Sequence, residues 1–263
     1  LGLCVGSFLN VVINRLYIGE SFLSGRSHCP NCKTDLKWFE LVPFLSFIFL
    51  LGKCRTCGAK ISFQYPSVEL AAGSLFAGAA YFLFPAGFSL ENFDYLAALK
   101  LFYWLVLASL FIVMFVYDLK HYIIPNQAVY PAILIPLFYN IFISVAGDYS
   151  FFKLSSPFAG GLFAAFLPAA FFLSLILISK GEWMGMGDVK LALAMGFFLG
   201  WPAILPALAF AFFLGSIVGL ILVFLQKKGF QSQIPFGPFL ILGTFFAALY
   251  GKTVVDWYLG GFL

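Results

Sequence analysis

The 263-residue chain predicts an all-α, polytopic membrane protein of about eight transmembrane helices, with one small polar insert after the first. Three observations carry that class. Hydrophobic residues make up 62% of the chain and charged residues 10%, with a mean hydropathy of +1.00, far from an ordinary soluble domain. Apolar runs recur near 1–16, 67–85, 97–117, 127–147, 157–179, 189–201, 203–225 and 237–257. All but the short sixth approach the length that crosses roughly 30 Å of hydrocarbon. Third, the basic residues are distributed unevenly between the two sides these runs define.

If the 17–66 stretch is cytoplasmic, alternation puts 118–126, 180–188 and 226–236 on the same side. Twelve Lys and Arg then lie inside: Arg15, Arg26, Lys33, Lys37, Lys53, Arg55, Lys60, Lys120, Lys180, Lys190, Lys227 and Lys228. Three lie outside: Lys100, Lys153 and Lys252. The imbalance sets the orientation by the positive-inside rule. Glu91-Asn92-Phe93-Asp94 and Asp148 agree with it on the outer side. The net charge of +4 is modest, and no nucleic-acid partner is expected. Residues 1–16 lead into Asn14-Arg15-Leu16, not a small-residue cleavage site, so no cleavable signal peptide is expected. The short first run, starting at Leu1, suggests that a few residues precede it.

In the first run, Ser7, Asn10 and Asn14 share one helical face. Amides in lipid need partners, so this face should point into the bundle. It serves either as a set of interhelical hydrogen bonds or as a polar wall beside a site. The 17–66 insert holds Cys29-Pro30-Asn31-Cys32 and Cys54-Arg55-Thr56-Cys57, with 21 residues between the pairs. Two Cys-x-x-Cys knuckles at about this separation read as a four-thiolate zinc site and make the insert zinc-ribbon-like. Disulfides are the alternative, disfavoured in a reducing cytoplasm. Four thiolates leave no position for a water, so the Zn2+ would be structural. His28 is superfluous to such a site, and Cys4 reads as packing.

Glu69, in Tyr65-Pro66-Ser67-Val68-Glu69-Leu70, opens the second run, with Pro66 or Ser67 starting its helix. A carboxylate in a first turn is favourable in itself; the other reading is a contact for a cofactor or a substrate amine. The third run ends at Asp118, and Pro125 makes 119–126 a tight corner. His121 reads as interfacial, and Lys120 and Lys190 as positive-inside anchors. Trp201-Pro202 marks a tight hairpin. Ile234-Pro235-Phe236-Gly237-Pro238 is a stiff approach to the last run and a candidate cleft wall. No internal repeat stands out.

The polar break Gly185-Met186-Gly187-Asp188-Val189-Lys190 separates two long apolar runs. An aspartate at the edge of a span is costly and marks a site with a partner. The partner available is Asp118, which alternation puts on the same face. Either aspartate alone could cap a helix; the pair, with Gly-x-Gly before the second, reads as an acid–base site. At about 4 Å and an effective dielectric near 20, two full charges would repel by roughly 4 kcal/mol. One carboxyl would therefore hold a proton while the other drew one from water. No Gly-x-Ser-x-Gly, His-Glu-x-x-His or Walker phosphate loop offers a competing chemistry.

These residues, with Gly6-Ser7-Phe8-Leu9-Asn10-Val11-Val12-Ile13, Ile124-Pro125-Asn126 and both knuckles, run in one order along nearly the whole chain. The set resembles the type IV prepilin leader peptidases, bifunctional enzymes of pilus assembly and type II secretion. The resemblance implies an aspartic endopeptidase of the bacterial inner membrane that clips the basic leader of a prepilin or pseudopilin after a glycine. It further implies methylation of the new N-terminal amine with S-adenosyl-L-methionine. By matching positions, Asp118 and Asp188 would be catalytic and Cys29, Cys32, Cys54 and Cys57 would hold zinc. Glu69 and Asn10 are candidates for the methyltransferase. Members without the zinc loop are thought to lack methylation. The implied division is 1–16 first helix, 17–66 zinc-binding loop and 67–263 seven-helix peptidase domain. A presenilin-like intramembrane protease, a cation-coupled transporter using the two aspartates and a zinc-dependent scaffold are the rival readings. Nothing in the sequence sets an oligomeric state.

Overall fold

The computed structural model describes residues 1–22, 25–84, 95–147, 149–225 and 234–260. Glu91-Asn92-Phe93-Asp94, Asp148 and Lys227-Lys228, which enter the charge distribution above, lie outside the described residues. Among the described residues the chain is helical, with two isolated β-bridges and no strand. Each of the eight apolar runs falls in a helix: α1 (Gly2–Ile18), α3 (Gln64–Leu83), α4 (Tyr95–His121), α5 (Asn126–Ala146), α6 (Pro157–Ser179), α7 (Met186–Leu199), α8 (Ile204–Phe224) and α9 (Gly237–Gly260). The five-residue α2 (Leu45–Phe49) and a 3-10 turn at Trp38–Leu41 lie in the insert. Helices α4, α5, α6, α8 and most of α9 are long and apolar enough to cross a membrane. This is a multi-pass membrane protein.

The chain forms two compact units, Leu1–Val113 and Met114–Leu263, whose boundary falls inside α4. In the first, α1 packs against α3. Gly2 lies on Gly73 and Gly6 on Glu69, so the two helices run antiparallel. The amide face of α1 points into this contact, and Asn10 is 1% exposed.

In the second unit the short α7 is packed by α5, α6 and α9, and its Leu191, Ala192, Ala194 and Met195 are fully buried. At 14 residues it rises about 21 Å, less than the hydrocarbon thickness. Close approach holds it. A Cβ on Gly196 would collide with the backbone of Ala164 and Ala165 on α6, so only glycine allows these helices to touch. Asn140 of α5 donates to the Phe197 carbonyl at 2.8 Å, which pairs one of the end carbonyls that α7 leaves open. Helix α6 begins with Ser156 accepting from the Ala159 N–H at 3.2 Å and Pro157 at the first position.

Three local expectations change. Helix α4 continues past Asp118 to His121, which places Asp118 one turn before its end. Helix α3 starts at Gln64, so Glu69 lies in its second turn, not the first; Pro66 sits within the first turn, where no N–H bond is lost. Cys4 is exposed on α1 and not packed inside.

Candidate active site

Asp118 is buried, 5% exposed, on the last full turn of α4. Its carboxylate interacts with the backbone N–H of Gly237. That residue comes so close that a Cβ on it would lie 2.5 Å from Asp118 Oδ2. Gly237 is held there by Phe236, whose ring packs on Phe212 at 5.2 Å and on Phe172 at 6.2 Å. Asp188 is the third residue of α7, half-buried, and its carboxylate turns back to the N–H of Gly185, the N-cap. The helix start favours negative charge at this position.

Ile124 joins the two. Its side chain lies 3.3 Å from a Cβ built on Gly187 and 3.4 Å from one built on Gly237. The corner after α4, the Gly-x-Gly of α7 and the Pro-Phe-Gly-Pro turn before α9 thus converge on one side chain. Asp118 and Asp188 are within electrostatic reach of each other. Eight residues along α7 from the Gly196 contact, Asp188 stands level with Phe172 and Leu173 on the antiparallel α6. That is about 10 Å of helical rise short of the end of α6 at Ser179.

Lys190 does more than anchor. Its Nζ donates to Asn126 Oδ1 at 2.8 Å and stands 5.2 Å over the Tyr130 ring. It ties the second turn of α7 to the first turns of α5, directly after the corner that follows Asp118. The sequence offered no signal for this contact, because the two residues lie 64 apart.

Cys29, Cys32, Cys54 and Cys57 come together with all four sulfurs within 4.8 Å of one another. Cys29 and Cys57 Sγ are 3.9 Å apart; sulfurs at about 2.3 Å from one tetrahedral ion stand roughly 3.8 Å apart. The two knuckles repeat one backbone pattern, which the sequence reading did not detect. Lys33 N–H bonds Cys29 O and Gly58 N–H bonds Cys54 O, both at 2.9 Å. Cys29 N–H bonds Thr34 O at 3.0 Å as Cys54 N–H bonds Ala59 O at 2.8 Å. Lys33 and Gly58 both take positive φ. The N–H groups of Cys57 and Thr56 draw the Cys54 thiol below its usual value. Those of Cys57 and Cys32 are lowered first by Ala59 N–H and by the Thr34 hydroxyl, respectively. Cys29 receives the N–H groups of Cys32 and Asn31, yet burial and the adjoining Cys54 and Cys32 thiols leave it raised. Four thiols this close need a cation before all can ionise, so the group can hold a metal.

In the same unit, Asn10 Nδ2 donates to Gly6 O and Tyr65 O at 3.3 and 3.1 Å, and its Oδ1 accepts from Gln64 Nε2 at 3.2 Å. Asn14 Nδ2 donates to the Tyr65 hydroxyl at 3.0 Å. Buried Glu69 accepts from Phe44 N–H at 2.7 Å and from Ser7. Gln64 Oε1 is buried without a hydrogen-bond partner among the described residues.

The fold and these groups define a multi-pass helical membrane protein with a pair of acidic side chains and a four-cysteine cluster. Two family models match the chain: residues 1–83 match the bacterial peptidase A24 N-terminal domain and residues 105–220 the type IV leader peptidase family. The first stretch contains the cysteines, Asn10 and Glu69; the second contains Asp118 and Asp188. A prepilin leader peptidase/N-methyltransferase of Bacillus subtilis (strain 168) is 35% identical over 98% of this chain and 95% of its own length. One from Aeromonas hydrophila is 32% identical over 99% and 92%, and one from Stutzerimonas stutzeri 31% over 98% and 91%. The chain belongs to the type IV leader peptidase family. No solved structure matches it.

Proposed function

We propose that this chain is an aspartic endopeptidase that removes the basic leader from type IV prepilins or pseudopilins, and that it N-methylates the new terminus. The observation that carries the peptidase is the convergence of Asp118 and Asp188 around Gly187, Ile124 and Gly237. The ionised carboxylate takes a proton from water, whose oxygen adds to the scissile carbonyl. The protonated carboxyl gives its proton as the C–N bond breaks and the amine leaves. Which aspartate holds the proton belongs to the pair. An acid pair at the ends of two apolar helices suits a bond between a polar leader and an apolar helix. The Lys and Arg distribution supports placing it at the cytoplasmic face of the inner membrane.

The four cysteines would hold a structural Zn2+, in line with the sulfur spacing and the paired knuckles. The name shared by the relatives implies S-adenosyl-L-methionine, which supplies an activated methyl group. Gln64 Oε1, a buried acceptor beside Asn10, fits an amino or hydroxyl group of that donor. Asn10 and Glu69 would order this wall, since the protein itself engages both Asn10 amide atoms and Glu69 Oε2. The three-part division into 1–16, 17–66 and 67–263 follows from this reading.

The test is cleavage of a prepilin followed by mass spectrometry of the new terminus. Asp118→Asn and Asp188→Asn should each leave the leader in place, while Cys54→Ser should yield a cleaved but unmethylated product. Full processing by both aspartate variants overturns the peptidase reading.

A further inference from the structure

Between the knuckles the chain reads Trp38-Phe39-Glu40-Leu41-Val42-Pro43-Phe44-Leu45-Ser46-Phe47-Ile48-Phe49-Leu50-Leu51. The sequence places this stretch in a soluble insert. In the fold several of its large side chains point outwards: Trp38, Phe49 and Leu51 are 79%, 80% and 83% exposed, and Leu45 and Ile48 about half. So many exposed apolar side chains on a fourteen-residue segment mark an interaction surface.

Its position says what covers it. The insert leaves the apolar helix α1 and returns into α3, whose 67–85 run the sequence expects to enter the bilayer, and the two helices pack on each other. The N–H of Phe44, the residue that starts α2, is bonded to Glu69, and the Glu69 backbone lies against Gly6 on α1. Arg15, whose guanidinium is held by the Ser21 and Arg26 carbonyls at the surface end of α1, lies nine residues further on. Those nine residues are about 13 Å of helical rise, of which the Glu69 side chain spans only a few. The start of α2 is thus held beside Gly6 and Glu69, below the level of Arg15. Phe44 takes φ 61 there, a conformation unfavourable for a bulky residue that persists only where surrounding contacts fix it. Basic residues rim the segment in sequence: Lys33 and Lys37 before it, Lys53, Arg55 and Lys60 after it. Arg55 folds over the Phe39 ring at 5.2 Å.

We propose that residues 38–51 form an interfacial membrane anchor. Trp38, Leu45, Ile48, Phe49 and Leu51 insert into the adjoining leaflet, while the basic rim meets anionic lipid headgroups. Because this segment runs from one knuckle to the other, the anchor pins the four-cysteine cluster at the bilayer surface. The inference does not depend on either proposed activity.

The test is the depth of nitroxide labels introduced by genetic encoding at 48 and 49, in nanodiscs of phosphatidylethanolamine and phosphatidylglycerol. Labels at Glu20 and at Phe166 on α6 serve as aqueous and lipid references. Collision with oxygen should exceed collision with a water-soluble nickel chelate several-fold at 48 and 49, as at 166 and opposite to 20. Nickel access equal to that at 20 means the segment is solvated, and low access to both reagents means that protein covers it; either result overturns the anchor. A second measurement needs no substitution. Acyl-chain diazirine lipids should label 38–51 of the unaltered protein as densely as α8, and absence of adducts there rejects the proposal.

Discussion

Gly237 stands against Asp118 so closely that any side chain on it would meet the carboxylate: a Cβ would lie 2.5 Å from Oδ2. The same residue offers its N–H to that carboxylate. The colliding atom is the tip of a side chain, so Gly237→Ala should displace the carboxylate more than it harms the fold. A shift of about 1 Å at a reacting group costs on the order of 100-fold in rate. Cleavage should fall by about that factor, with thermal stability in detergent nearly unchanged; wild-type cleavage rates would sink this assignment.

The two aspartates should behave as one device. Asp118→Asn, Asp188→Asn and the double variant are expected to show the same residual cleavage, since removing either member disables the pair. Single-turnover rates on a prepilin check this. Losses that multiply in the double variant would mean that the carboxylates act independently.

Lys190 and Asn126 should be coupled. The bond joins the helix bearing Asp188 to the one that follows the Asp118 corner, and a partly exposed charge-assisted bond is worth about 1 kcal/mol. Lys190→Met and Asn126→Ala are each expected to lower stability by about that amount, and together by little more than either alone. A double-mutant cycle on thermal unfolding measures it, and simple additivity speaks against the contact.

Gly196 carries the α6–α7 contact. Because a Cβ there meets the backbone of Ala164 and Ala165, Gly196→Val should cost about 3 kcal/mol. Gly219 on α8 has nothing within 4 Å of a built Cβ, so Gly219→Val is the matched control and should change stability little. Equal melting temperatures for the two variants would contradict the packing described.

Metal removal should separate the two activities. Purified protein is expected to contain one zinc per chain by elemental analysis, and Cys54→Ser to contain none. Methylation should be lost with the metal while cleavage persists, because the cysteines and the aspartates fall in different units. Loss of both activities with the metal, in a variant that still melts cooperatively, would argue against that independence.

The sequence by itself determined the membrane class, the eight helical runs and the cysteine knuckles, and it singled out Asp118 and Asp188. Apolar run length is a local property, and a Cys-x-x-Cys knuckle is closed by backbone bonds within six residues, as in Cys29 N–H to Thr34 O. Such features need no knowledge of what lies across the bundle. Tertiary structure alone decided which N–H faces Asp118, why Lys190 is not a free anchor, and that Glu69 reaches Phe44. It also turned Trp38, Phe49 and Leu51 of the insert outwards. The Glu69 and Lys190 contacts join residues 25 and 64 apart, and Gly6 and Gly196 let whole helices approach closely. No local periodicity encodes which backbone a glycine will meet.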